Sequence, residues 1–147
     1  MNRRQFLLAT AAAPFAAALP ALVAPAKAGD EPLRIRALYN KDLSFSPYAT
    51  GHRDKEVFVR GYMAPPLKAQ SKFFVLTARP MAVCPFCESE ADWPDDIIVI
   101  YTDEIIDAVA FNVPIEVRGT LELGTYEDTE IGFVSRVRVT SASFARM

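Results

Sequence analysis

Pro114-Ile115-Glu116-Val117-Arg118-Gly119-Thr120-Leu121-Glu122-Leu123 is the most regular stretch of the chain, and its reading decides the fold. Apolar and polar side chains alternate along it. Ile115, Val117, Leu121 and Leu123 fall on one face, and Glu116, Arg118, Thr120 and Glu122 on the other. A period of two belongs to a half-buried strand, because successive side chains leave a pleated backbone on opposite sides. The same motif occurs earlier. Val57-x-Val59-Arg60-Gly61 repeats Ile115-x-Val117-Arg118-Gly119, within the strand pattern Glu56 to Met63 that Pro65-Pro66 ends. A glycine inside each strand permits the sharp coiling that closes a small barrel.

Working outward, Lys72 to Thr77 reads as a second strand. Asp96 to Tyr101 reads as a third, with an unbroken apolar run that predicts burial on both faces. Thr102-Asp103-Glu104 reads as the start of a short helix, with Thr102 as N-cap and acidic residues in the first turn, so that Ile105, Ile106 and Val109 face inward. Pro114 to Leu123 is then the fourth strand, Gly124 to Thr129 a polar turn, and Ser135 to Thr140 the fifth strand. Strand, strand, strand, short helix, strand, strand is the order of an OB-fold, a five-stranded Greek-key barrel in which the first and fourth strands are neighbours. The expected class is all-β with little helix. A β-sandwich or an open sheet with a helix fits the same pattern. Residues 29–54 read as an arm packed on the domain at 55–147. Within the arm Leu33 to Leu38 fits either a short strand or one or two helical turns, and Ser44 to Tyr48 reads as loop.

The first 28 residues differ from the rest. Arg3, Arg4 and Lys27 are their only charges, an uncharged stretch runs from Gln5 to Ala26, and Ala26-Lys27-Ala28 ends them. A basic start, an apolar middle and a small-x-small end form a secretory signal, with cleavage expected after Ala28. Arg3-Arg4-Gln5-Phe6-Leu7 resembles the twin-arginine signal, whose substrates cross the membrane folded. That names the twin-arginine translocase as a partner during export and the periplasm as the destination. An ordinary secretory signal, or an uncleaved anchor, reads from the same residues, although Pro14, Pro20 and Pro25 disfavour a persistent helix. Removing the leader's three basic residues moves the formal charge from −2 to −5. So acidic a domain lacks the positive field of a nucleic-acid binder.

The connection between the second and third strands carries the chemistry. In Cys84-Pro85-Phe86-Cys87-Glu88-Ser89-Glu90-Ala91-Asp92-Trp93 stand both cysteines, the only Trp and a run of carboxylates. Three readings stand side by side. Cys84 and Cys87 can form a structural disulfide, which an oxidising compartment preserves and so short a loop makes only modestly stabilising. They can supply half of a metal site for zinc or copper, completed by Glu88, Glu90, Asp92 or His52. They can exchange disulfides, since Cys-Pro-Phe-Cys resembles the active-site motif of thioredoxin-like oxidoreductases. Against that last reading, the acidic residues that follow raise a thiol pKa, and Pro94 interrupts any long helix. Trp93 can cover a ligand or pack on the barrel end. His52, the only His, reads as a surface-loop residue. Arg60, Arg118, Arg136 and Arg138 alternate on strands and make either a basic stripe or solvated faces paired with Glu56, Glu116 and Glu122. No nucleophile–His–acid set and no Gly-rich phosphate loop is present.

Taken together, Gly61-Tyr62-Met63-Ala64-Pro65-Pro66-Leu67, Phe73-Phe74-Val75-Leu76, Cys84-Pro85-Phe86-Cys87 and Trp93-Pro94 resemble a family of uncharacterised bacterial exported proteins with an OB-like core. The resemblance covers roughly Val57 to Val139. It implies an accessory role near the membrane, beside ABC-type transporter components or metal handling, and transfers no catalytic residues. Members of the broader group carry Cys followed by His and prolines in this loop, where this chain has Cys84-Pro85-Phe86-Cys87. The sequence therefore points to a binding or accessory module without catalysis, with candidate binding residues Cys84, Cys87, Glu88, Glu90, Asp92 and Trp93. A CxxC thiol protein is the alternative.

Overall fold

The computed structural model describes residues 31–83 and 93–147. They form five strands: β1 Glu56–Met63, β2 Phe73–Thr77, β3 Ile97–Thr102, β4 Pro114–Asp128 and β5 Phe133–Arg146. All belong to one sheet with almost no helix. They hydrogen-bond in the order β1-β2-β3-β5-β4, and β4 returns to β1, so the sheet closes on itself. Only β3 and β5 run parallel; the other neighbours are antiparallel.

The repeated V-x-V-R-G motif lies on the β1–β4 seam. Val59 faces Val117, and the two glycines take mirrored positions, Gly61 opposite Ile115 and Gly119 opposite Val57. Each sits where a neighbouring strand presses close. A Cβ on Gly61 would lie 2.5 Å from the Thr77 carbonyl oxygen, and one on Gly119 2.7 Å from that of Thr140. The missing side chains let β1 and β4 bend against their neighbours. The interior is filled by the apolar faces of all five strands, including Val59, Leu76, Ile98, Ile100, Val117 and Val139. β3 is buried on both faces over Ile97 to Ile100, as its apolar run predicted.

The arm belongs to this same core. Leu33, Ile35, Leu38 and Ala49 pack against the inner strand residues, and the Leu33 amide donates to the Phe58 carbonyl at 2.6 Å. Ile35–Leu38 is a single 3-10 turn. The stretch expected as loop instead starts a short helix, α1 Pro47–His52. Ser46 caps it by accepting from the Ala49 amide at 3.1 Å, and Pro47 opens it, where a missing N–H costs nothing.

The helix expected after Thr102 does not form. The Thr102 hydroxyl does not cap a helix; it donates to the carbonyls of Lys72 (2.9 Å) and Glu104 (2.7 Å). The Thr102 and Ile106 amides donate to the Lys72 and Ser71 carbonyls, so the chain keeps an extended path along the entrance of β2. Val109 is buried and Ile106 packs on the core as expected, but Ile105 is 57% exposed. β4 and β5 also run further than their alternation indicated, pairing through the expected polar turn until Asp128 meets Phe133.

Candidate functional site

The cysteine-bearing connection leaves β2 and returns to β3 at the end of the sheet that the arm covers, and its root is firmly built. The Ala78 amide donates to the Asp96 carbonyl at 2.9 Å, tying the two ends of the connection together. The Thr77 hydroxyl donates to the carbonyls of Arg79 (2.6 Å) and Tyr62 (3.2 Å). The Asp96 carboxylate is buried and receives two guanidiniums, Arg79 at 3.3 Å and Arg36 of the arm at 3.7 Å. Both arginines keep most of their surface in water, so each pair is individually weak, but together they give a buried carboxylate the cationic partners it requires.

Trp93 marks the return of the connection. Its indole N–H donates to the Tyr39 hydroxyl at 2.6 Å, and its ring packs against the core. Of the two readings of Trp93, packing at the barrel end is the one the contacts describe. Burial pushes the Tyr39 hydroxyl up to about 12, opposed in part by the Trp93 hydrogen bond and the Arg136 charge. The Arg136 guanidinium lies 5.9 Å from the Tyr39 ring centre and 5.3 Å from that of Phe45, and donates to the Leu43 carbonyl at 3.0 Å. Two arm aromatics and a β5 arginine thus interlock beside Trp93.

Cys84, Cys87, Glu88, Glu90 and Asp92 lie outside the described residues, and so do the disulfide and metal readings that rest on them. Among the described residues no group of three or more His, Cys, Asp or Glu could hold a metal. His52 ends α1, with Nδ1 2.7 Å from the Tyr48 carbonyl and its ring 4.5 Å from that of Tyr48. A carbonyl only accepts, so this contact fixes the Nδ1–H tautomer and gives His52 a local role.

Three of the four strand arginines, Arg60, Arg118 and Arg138, are paired with carboxylates, while Arg136 lies on the Tyr39 and Phe45 rings. Arg60 and Arg118 both reach Glu116, at 3.9 and 3.5 Å, and both cover the Phe58 ring, at 5.0 and 4.5 Å. Phe58, on the outer side of β1, is 4% exposed because of them. The Arg138 Nε donates to Glu122 at 2.9 Å and its terminal nitrogen to the Gly124 carbonyl at 2.8 Å.

Two adjoining grooves at the opposite end of the sheet were not legible in the sequence. Both are lined by Thr102, Asp103 and Ser141. The smaller, of about 400 Å³, adds Tyr101, Glu122, Tyr126 and Arg138. Its polar groups satisfy one another: the Thr140 hydroxyl donates to Glu122 at 3.1 Å, and the Tyr101 hydroxyl to Asp128 at 3.3 Å. Burial, reinforced by the Asp128 carboxylate, raises the Tyr101 hydroxyl well above the usual phenol range. The larger groove, of about 660 Å³, runs between the last residues of β5 and the connector after β3. The one sequence signal here, the acidic pair Asp103-Glu104, resembles a helix start.

No family model matches the sequence, and no curated protein matches it. Among solved structures the chain is similar to a DUF3299 family protein from Pseudomonas aeruginosa PAO1, with a TM-score of 0.47 and 15% sequence identity, over 66% of this chain and 64% of that one. The chain thus spans a little under two thirds of the length of the protein it resembles.

Proposed function

We propose that this chain is an exported periplasmic OB-fold module that acts by binding, without catalysis of its own, as an accessory protein near a membrane transporter or in metal handling. Export rests on Arg3-Arg4-Gln5-Phe6-Leu7 and Ala26-Lys27-Ala28. The fold name is supported by the strand order β1-β2-β3-β5-β4 with a parallel β3–β5 pair. The contact element is the connection holding Cys84 and Cys87. The observation that carries this choice is the anchoring of its root, where Trp93 is hydrogen-bonded to Tyr39 and Asp96 is held by Arg36 and Arg79. A connection whose ends are fixed on a closed sheet, and whose sequence carries thiols and carboxylates, suits a binding loop.

The test is thiol titration and elemental analysis of the mature protein purified under reducing conditions, with and without Cys84→Ser. Stoichiometric zinc or copper that is lost in the variant supports the binding reading. A reversible pair with a mild reduction potential and no metal replaces it with a disulfide-exchange protein. If Cys84→Ser changes neither metal content, stability nor partner capture, the connection is not the site.

A further inference from the structure

The larger groove is bordered by an open strand edge. Pairing between β3 and β5 ends at Thr102 and Ala142, while β5 runs on to Arg146 with β4 alone beside it. The Met147 amide donates to the Pro114 carbonyl at 3.0 Å, which places that residue's backbone groups toward β4. Hydrogen-bonding direction alternates along an antiparallel strand, so the N–H and C=O groups of Phe144 and Arg146 point the other way, into the groove. The connector opposite is pinned elsewhere. Its Ile106 amide is given to Ser71, and its Val109 amide lies 3.3 Å from the Met63 sulfur. Among the described residues no backbone hydrogen bond joins this connector to Phe144 or Arg146.

The groove has an apolar floor and an acidic rim. Val109 is buried, Ile106 is partly buried, and Phe144 stands edge-on to Phe74 with ring centres 5.2 Å apart. Asp103, Glu104 and Asp107 are exposed along the connector, against Arg146 as the one cation in the lining. Among the described residues none of the three carboxylates forms an ion pair. An unpaired strand edge is a template for another strand, and the groove beside it reads alternate side chains.

We infer that this groove accepts an extended, basic segment of a partner protein, added as a strand to the free edge of β5 at Phe144 and Arg146, with apolar residues toward Phe144 and lysines or arginines toward Asp103, Glu104 and Asp107. The charge of the rim selects a cationic partner, and the open ladder selects an extended one.

The probe is a fluorescein-labelled, acetylated heptapeptide of alternating valine and lysine, followed by fluorescence anisotropy and amide hydrogen exchange on the full chain. Saturable binding is expected, with at least tenfold slower exchange at the Phe144 and Arg146 amides. Replacing the peptide lysines by glutamates, or combining Asp103→Asn, Glu104→Gln and Asp107→Asn in the protein, should weaken binding at least tenfold. These side chains are exposed, so the variant should keep its fold, as circular dichroism would verify. Absence of binding overturns the inference. So does binding that leaves the two amides unprotected, or equal binding of two peptides N-methylated at the valines and at the lysines respectively, since one of these sets must face β5. Protection of the same amides by self-association without peptide would assign the edge to a second copy of the chain, and would likewise overturn it.

Discussion

Gly119 faces the bulge at Ser141. Arg118 pairs with Ser143 and Thr120 with Thr140, so the single residue Gly119 opposes both Ser141 and Ala142. Ser141 takes a left-handed conformation, φ 48°, at the bulge, and a Cβ on Gly119 would lie 3.1 Å from the Ala142 Cα. The glycine of the second V-x-V-R-G motif is therefore what lets β5 bulge. The bulge lies where β5 departs from β3.

Replacing either motif glycine should be costly. Gly119→Ala and Gly61→Ala each force a Cβ against a backbone oxygen, and each should lower the unfolding free energy by about 2–3 kcal/mol in urea titrations. Gly51→Ala is the control. Nothing lies within 4 Å of a Cβ there, in the short helix α1, so stability should hold or rise by about 0.5–1 kcal/mol.

Ser141→Gly should act in the opposite direction. A non-glycine residue at positive φ carries strain of about 1 kcal/mol or more, which glycine relieves in the folded state while adding some freedom to the unfolded chain. A net gain of about 0.5–1 kcal/mol is expected in the same urea titration. A loss would mean that the Ser141 side chain contributes more than its conformation costs.

Stability should fall in alkali. Tyr39 ionises at about 12 in the folded protein and near 10 when unfolded, so between those values the unfolded chain binds fewer protons than the native one, and the free energy of unfolding declines as pH rises. The contribution is intact below pH 10 and lost through pH 12. Two units correspond to about 2–3 kcal/mol. Tyr101, also raised, steepens the decline. Urea midpoints at pH 9 and pH 11 should differ measurably, and Tyr39→Phe should flatten the difference while weakening the neutral-pH protein through loss of the Trp93 acceptor.

Ser135 is fully buried, and its hydroxyl has no hydrogen-bond partner among the described residues. An orphan hydroxyl in an apolar interior is a desolvation cost with no return, so Ser135→Ala should leave stability unchanged or raise it by about 1 kcal/mol. A clear loss in thermal unfolding would show that the hydroxyl has a partner after all.

β4 was legible because its inner face is apolar and its outer face polar, and β2 and β3 because their short apolar runs are buried on both faces. β1 was readable to the residue, since Val57-Phe58-Val59 and Tyr62-Met63 are β-branched, aromatic or large apolar residues that two prolines stop. The end of β4 was not, because Thr125, Tyr126 and Glu127 are all exposed and no alternation is required of them. Thr102-Asp103-Glu104 has the composition of a helix start, but tertiary hydrogen bonds to Ser71 and Lys72 claimed the backbone first. Ser46-Pro47 carried a capping signature within a stretch that reads as loop. At the candidate site, spacing brought Cys84 and Cys87 to attention. The return of their connection at Trp93 is tied to Tyr39, 54 positions apart, a contact no local pattern encodes. Among the described residues no helix is long and apolar enough to cross a membrane.

The pairing of β1 with β4 has a kinetic consequence. Glu56 meets Thr120, 64 positions further along the chain, whereas β4 and β5 are joined by a turn only a few residues long. A hairpin assembles in about microseconds, but a seam between remote segments must first overcome the entropy of gathering the chain between them. The β4–β5 ribbon is therefore the natural nucleus, and the β1–β4 seam is the last stitch. Until it is drawn, two strands lie open to foreign chains, so molecules still being synthesised and crowded together are the ones most prone to stick.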